Sequence, residues 1–261
     1  MSSNNLGLHA KPKTRPESCD LHGSFESRCY IGSIWSRCPA CSTQAADKEQ
    51  AEAESRAREL RLAAWQNKIG QTGIPERFHT RSFENFVATD AAQTKALDFC
   101  KRYADQFHDV IATGRSAIFI GKPGTGKTHL AAAIGLHVMR QQNRTVLFTT
   151  VMRAIRRVKD SWDRGSSESE SQVIQTFVAA DLLILDEVGV QFGTEFEKNI
   201  LFDVINERYE KRKPTILMSN LPVSDVTAYL GERVIDRIRE DGGARIVFDW
   251  SSHRAKMQGG I

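Results

Sequence analysis

Apolar residues in this chain arrive in short bursts. Ser116-Ala117-Ile118-Phe119-Ile120, Thr145-Val146-Leu147-Phe148-Thr149, Leu182-Leu183-Ile184-Leu185, Thr215-Ile216-Leu217-Met218 and a last run near Ile246-Val247-Phe248 are each at most five residues long. Runs of that length bounded by turn residues predict buried strands. Between them lie stretches with helical spacing, over 91–109, from His129 to Gln141, over 151–163, 170–179 and 194–211, and two shorter helices before the last strand. Strands alternating with helices predict an α/β fold, with a parallel five-stranded sheet flanked by helices. In the helix over 151–163, Val151, Ile155, Val158 and Trp162 fall on one stripe and Arg153, Arg156, Arg157 and Lys159 on the other side.

The chain before residue 91 patterns differently. Residues 1–18 combine lysine, arginine and proline with little apolar content and predict a flexible basic tail. A cysteine-rich module over 19–42 follows. Residues 43–70 then form a helical arm, rich in Ala, Glu, Arg and Gln and with apolar residues sparse until Leu60, Ala64 and Trp65. A linker over 71–90 carries aromatic anchors from Phe78 to Phe86, and the core domain spans 91–261. There is no internal repeat.

Composition places the chain among ordinary folded proteins, with 40% hydrophobic and 26% charged residues in 261. No apolar run reaches the ~18–20 residues a bilayer crossing needs. The polar start Met1-Ser2-Ser3-Asn4-Asn5 lacks the apolar core of a secretory signal. A cytoplasmic location is therefore expected. The net charge of +4 is compatible with nucleic acid as a partner without requiring it.

The chemistry concentrates between the first two core strands, where Gly121-Lys122-Pro123-Gly124-Thr125-Gly126-Lys127-Thr128 joins a strand to a helix. Glycines let successive backbone N–H groups curl around phosphate oxygens, and the helix N-terminus adds partial positive charge. Lys127 reaches the β and γ phosphates, and Thr128 sets its hydroxyl on Mg²⁺. A nucleoside triphosphate site follows, with Gly121, Pro123, Gly124, Thr125, Gly126, Lys127 and Thr128 as its ligands. Leu182–Leu185 delivers Asp186-Glu187 to the carboxyl edge of the sheet. Asp186 is expected on Mg²⁺, with Glu187 orienting the attacking water. Ser219-Asn220 ends the next strand, and Asn220 is preferred as a γ-phosphate sensor because its amide both donates and accepts. Arg233 and Arg237 lie four apart on one helical face, where an arginine could reach a neighbouring subunit's γ-phosphate. The Arg153, Arg156, Arg157 and Lys159 face suits a phosphate backbone, single-stranded nucleic acid above all.

Four of the five cysteines lie between Cys19 and Cys41. Cys19-x-x-His22 and Cys38-x-x-Cys41 form two knuckles that match a closed structural Zn²⁺ site, in a segment too short to build its own core. Cys29 is the rival of His22 for the fourth position.

Three stretches together resemble a known family. Gly-Lys-Pro-Gly-Thr-Gly-Lys-Thr-His-Leu-Ala-Ala-Ala-Ile, Leu-Leu-Ile-Leu-Asp-Glu-Val-Gly-Val-Gln and Leu-Gly-Glu-Arg-Val-Ile-Asp-Arg-Ile-Arg are similar to motifs of the DnaC-type helicase loaders, a branch of the AAA+ ATPases. The likeness runs from about Gly73 to the C-terminus. It implies ATP hydrolysis, Arg237 rather than Arg233 as an arginine finger, and Arg254 as a second sensor arginine. Too few residues follow Asp249 for the helical lid of many AAA+ proteins. The family further implies binding to the hexameric DnaB-type replicative helicase through the N-terminal region, single-stranded DNA as ligand, and a ring or helical homo-oligomer with ATP. The Cys/His cluster departs from the best-known loader and resembles variants among phage and prophage replication proteins. The IstB-type transposition helpers, which act on duplex DNA, share nearly the same core and form the alternative. A non-catalytic zinc-containing DNA-binding adaptor is a third reading, against which Lys127, Thr128, Asp186 and Glu187 all argue.

Overall fold

A computed structural model describes residues 12–189, 194–240 and 242–253, in two units divided between Gln66 and Asn67. Most of the tail expected over 1–18, and Arg254, lie outside the described residues.

The first unit is a small antiparallel sheet followed by a helix. Strand β1 (Lys13–Cys19) pairs with β2 (Gly23–Ile31) in the register Lys13↔Cys29 to Cys19↔Gly23, and β3 (Ile34–Trp35) adds to the other side of β2. Residues 13–18 are therefore a strand and not the flexible tail that composition suggested. Nothing in Lys13–Ser18 alternates between apolar and polar, so the segment carries no strand signal of its own. The backbone ladder to β2 holds it, and the Arg15 guanidinium lies 4.2 Å from the centroid of the Trp35 ring. Pro16 is tolerated because β1 is an edge strand, where one row of N–H groups has no partner to lose. Helix α1 runs Pro39–Gly70. It starts ahead of the expected arm because Pro39 suits the first helical position, where an N–H is not needed. Residues 42–60 are exposed throughout, in keeping with the absence of an apolar stripe.

The second unit is a five-stranded parallel sheet in the order β5-β6-β7-β4-β8, formed by β4 (Ala117–Gly121), β5 (Val146–Thr150), β6 (Leu182–Asp186), β7 (Thr215–Ser219) and β8 (Ala244–Phe248). Leu182, Leu183, Ile184 and Leu185 are at most 1% exposed, as a strand covered on both faces requires. Helices α2 (Ala91–Asp105), α3 (Phe107–Thr113), α4 (Lys127–Gln142), α5 (Val151–Asp160), α6 (Glu170–Ala179), α7 (Glu195–Glu210), α8 (Val223–Leu230) and α9 (Glu232–Glu240) surround it.

The one helix expected over 91–109 is two. The chain breaks at Gln106, which leaves helical geometry at φ −95 and ψ 26, and Phe107 and Val110 of α3 then bury completely. On one face of the sheet, Ile118, Leu183, Leu185 and Leu217 share a core with Ile155 and Val158 of α5, Phe177 of α6, Leu201 of α7 and Ile235 of α9. Arg208 is fully buried at the end of α7, where it donates to the carbonyls of Phe177, Val178, Ala180 and Pro214 and to Thr215 Oγ1. One side chain thus satisfies the orphan carbonyls that end α6 and ties them to the start of β7. No helix among the described residues is long and apolar enough to cross a membrane.

All five strands are parallel, so the residues after Gly121, Asp186, Ser219 and Phe248 emerge at one edge of the sheet, where ligands of such folds bind.

Candidate nucleotide site and metal centre

The loop after β4 departs from ordinary backbone at three glycines, with φ of 155° at Gly121, 80° at Gly124 and 96° at Gly126. Only glycine takes the last of these cheaply, and a Cβ on Gly126 would also stand 2.6 Å from the Phe86 ring. Helix α4 opens directly from Gly126 with no side-chain cap, which leaves its first N–H groups for a ligand. Thr125 is buried and its hydroxyl donates to the Lys122 carbonyl at 2.8 Å. The Lys127 ammonium is folded over the loop, donating to the carbonyls of Gly121 at 2.6 Å and Lys122 at 2.9 Å.

Across from the loop, Thr128 Oγ1 donates to Asp186 Oδ2 at 3.2 Å. Burial pulls the Lys127 amine down to about 8, against the pull of the Asp186 charge. Burial likewise raises Asp186, against the Glu187 N–H, the Thr128 hydroxyl and Lys127. Both shifts mark a pocket in which charge is poorly solvated. A triphosphate with a divalent cation supplies the opposite charge to each group, and the donor set fits both. Glu187 has left-handed backbone at φ 61°, uncommon for a residue with a side chain, and is exposed beside the half-buried Asp186. Ser219 is occupied, donating to the Val188 carbonyl and accepting from Leu221 N–H, while Asn220 is exposed toward the loop.

Pro123, Gly124, Gly126, Lys127, Thr128, Asp186, Glu187 and Asn220 line one cleft of about 570 Å³. Its other wall was not foreseen in the sequence. Arg77, Phe78, Arg81, Asn85, Phe86 and Val87 of the expected linker complete it, with His129 and His253. His129 Nε2 lies 2.9 Å from the Ser82 carbonyl and its ring meets Phe86 edge-on, which clips the linker to α4. The available signal was the alternation of arginine and phenylalanine from Arg77 to Phe86, in a segment with no periodicity to explain it.

The arginines are placed elsewhere. Arg237 is half-buried against the rings of Phe202 and Tyr209, at 5.2 and 5.4 Å, and Arg233 is exposed. Neither lines the cleft of its own chain. On α5, Arg153, Arg156 and Lys159 are exposed, but Arg157 is spent on a bidentate pair with Glu168, Nη2 to Oε1 at 2.8 Å and Nε to Oε2 at 3.3 Å. Trp162 does not join the buried stripe of Val151, Ile155 and Val158. Helix α5 ends at Asp160, and beyond it the indole is 53% exposed, its ring tilted at 60° against Phe196 and its N–H donated to Glu170.

In the first unit, Cys19 and His22 flank the β1–β2 turn, Cys38 precedes α1 and Cys41 sits in its first turn. Their ligand atoms all lie within 4.8 Å of one another. The Cys19–Cys41 sulfur distance is 3.5 Å, and His22 Nδ1 is 3.7, 3.8 and 3.2 Å from the sulfurs of Cys19, Cys38 and Cys41. Tetrahedral bonds of zinc length predict edges of about 3.8 Å between sulfurs and about 3.5 Å from sulfur to nitrogen. The four residues therefore fit the ion. The Leu21 N–H and the His22 ring hold the Cys19 thiol down to about 6, while hydrogen bonding to Cys19 pushes Cys41 up to about 11. Cys29 lies apart from this cluster, buried, with its thiol toward the Gly32 carbonyl.

Residues 49–241 match the family model described as IstB-like ATP binding protein. The replicative helicase loader DnaC of Escherichia coli strain K12 is 36% identical over 214 residues, covering 81% of this chain and 85% of that protein. Its counterpart from Buchnera aphidicola subsp. Acyrthosiphon pisum is 35% identical over 206 residues, covering 79% and 82%. Among solved structures, that of a DnaC helicase loader superposes with a TM-score of 0.60 at 24% identity, over 66% of this chain and 99% of the other.

Proposed function

Because the chain belongs to the IstB-like ATP-binding protein family, we propose that it is an ATP-dependent loader that binds the replicative helicase and places it on single-stranded DNA. The observation that carries this reading is 36% identity to a helicase loader across four-fifths of both chains. ATP hydrolysis then times release of the helicase.

In this reading the amides of Gly124, Thr125 and Gly126 cradle the phosphates, and Lys127 leaves its two loop carbonyls to neutralise the β and γ oxygens. Thr128 and Asp186 hold Mg²⁺, whose charge, when it is bound, offsets that building on the phosphates. Glu187 orients and polarises the attacking water, and Asn220 reads the γ-phosphate. Arg237, and Arg254 beyond the described residues, act on the triphosphate as finger and second sensor. A finger that lies outside its own cleft must work on a neighbouring subunit, which calls for a head-to-tail ring or helix of chains. The exposed Arg153, Arg156 and Lys159 are the candidates for the DNA backbone. Cys19, His22, Cys38 and Cys41 hold a structural Zn²⁺ that joins the hairpin to α1.

Light scattering behind a sizing column tests the reading, on this protein mixed with its replicative helicase and ATP. A complex well above the mass of the helicase hexamer is expected. No complex, with duplex DNA coated in the presence of ATP, would transfer the protein to transposition.

A further inference from the structure

Immediately after β8 the chain turns back over the phosphate loop. Trp250 Nε1–H donates to the Thr125 carbonyl at 2.9 Å, and the His253 backbone N–H donates to the Gly124 carbonyl at 3.0 Å. The indole is fixed by a run of rings, 5.0 Å from Phe248, which is fully buried and lies 5.3 Å from Phe119 of β4. The strand beneath is equally constrained, since a Cβ on Gly121 would stand 2.3 Å from the Phe248 carbonyl.

These two hydrogen bonds have a stereochemical effect on the opposite side of the loop. In a trans peptide the C=O of one residue and the N–H of the next point in opposite directions. Fixing the Gly124 carbonyl toward His253 directs the Thr125 N–H the other way, and fixing the Thr125 carbonyl toward Trp250 does the same for the Gly126 N–H. Both peptides flank glycines, whose φ of 80° and 96° shows how freely they turn. Without an outside partner, either plane can flip and present a carbonyl oxygen to an incoming phosphate. The Thr125 hydroxyl adds a third tether, to the Lys122 carbonyl.

Building on the nucleotide site of the preceding subsection, we propose that Trp250 is a positioning residue of that site, whose indole N–H, with the His253 amide, pre-orients the Thr125 and Gly126 amides toward the phosphates. Trp250 acts through the loop. It grips ground state and transition state alike, so its loss should appear in affinity and not in turnover at saturation.

Trp250→Phe keeps an aromatic ring beside Phe248 and removes only the donor. The expected result is an affinity for a fluorescent ATP analogue weakened about three- to tenfold, the worth of one neutral hydrogen bond. Turnover at saturating ATP should stay at its wild-type value, and the unfolding midpoint of the nucleotide-free protein should fall by no more than about 2–4 °C. Equal affinity in Trp250→Phe and wild type overturns the proposal, as does a loss of turnover with affinity intact. Should the variant not fold, the wild-type chain decides, because the Trp250 indole proton must be protected from solvent exchange without nucleotide. Rapid exchange of that proton also overturns it. Failure of the wild-type protein to bind the analogue would instead count against the nucleotide site itself.

Discussion

Lys127 holds two loop carbonyls and faces Asp186 across the cleft, so its charge is already in use before a ligand arrives. Lys127→Ala should abolish ATP binding. Glu187→Gln should bind ATP as wild type does and lose turnover, because the carboxylate acts on water and not on the phosphates. Isothermal titration and phosphate release separate the two, and undiminished ATP binding by Lys127→Ala would refute the assignment. The depressed lysine has a further consequence. Bound triphosphate favours the ammonium, so above about pH 8 the free protein must first take up a proton in order to bind. Affinity should be level below that point and fall by up to about tenfold per pH unit above it. Lys127→Arg should remove the fall over the same range, since guanidinium stays charged. An affinity unchanged up to about pH 10 would show that Lys127 does not titrate there.

At the scale of elements, the Cys19, His22, Cys38 and Cys41 cluster joins the turn of one hairpin to the first turn of α1, so the proposed zinc ligands and the sheet stand together. Metal analysis of the purified chain should find one zinc. Cys38→Ser should lose it, together with the β signal of the hairpin by circular dichroism, and Cys29→Ser should keep it. Zinc lost equally from both variants would return Cys29 to the ligand set. The sequence carried the convergence of these four side chains because Cys-x-x-His and Cys-x-x-Cys pairs announce themselves by spacing, and it carried the core strands because burial on both faces leaves unbroken apolar runs such as Leu182–Leu185. It could not carry β1, whose Lys13–Ser18 is held by pairing with β2 and not by a buried face of its own. Nor could it show that Arg77, Arg81 and Phe86 wall the nucleotide cleft. Their role depends on where the chain returns to α4, and the alternation of arginine and phenylalanine marks the segment without encoding where it docks. The same limit explains Trp162, whose spacing continues the stripe of α5 after the helix itself has ended.

Taken whole, the chain joins a nucleotide domain to an N-terminal arm whose residues 42–60 are exposed and lack an apolar stripe. A helix of that kind stays in solution until a partner covers it. Deleting residues 1–70 should therefore abolish the complex with the helicase in light scattering while ATP affinity stays within about twofold of wild type. A complex that survives the deletion would move the docking surface into the nucleotide domain. The order of the parallel sheet bears on how a new molecule comes into being. Strand β4, which carries the phosphate loop, lies between β7 and β8, so its final neighbour is encoded 127 residues later, from Ala117 to Ala244. At a synthesis rate of about 5–20 residues per second, the loop waits roughly 6–25 s for that strand to leave the ribosome. A nascent chain stopped within this interval can hold Lys127, Asp186 and Glu187 and still have an open edge where the nucleotide strand should be closed. The phosphate-loop strand thus gains its second neighbour only once β8 has been made, so competence for ATP follows the synthesis of β8 and not that of the loop itself.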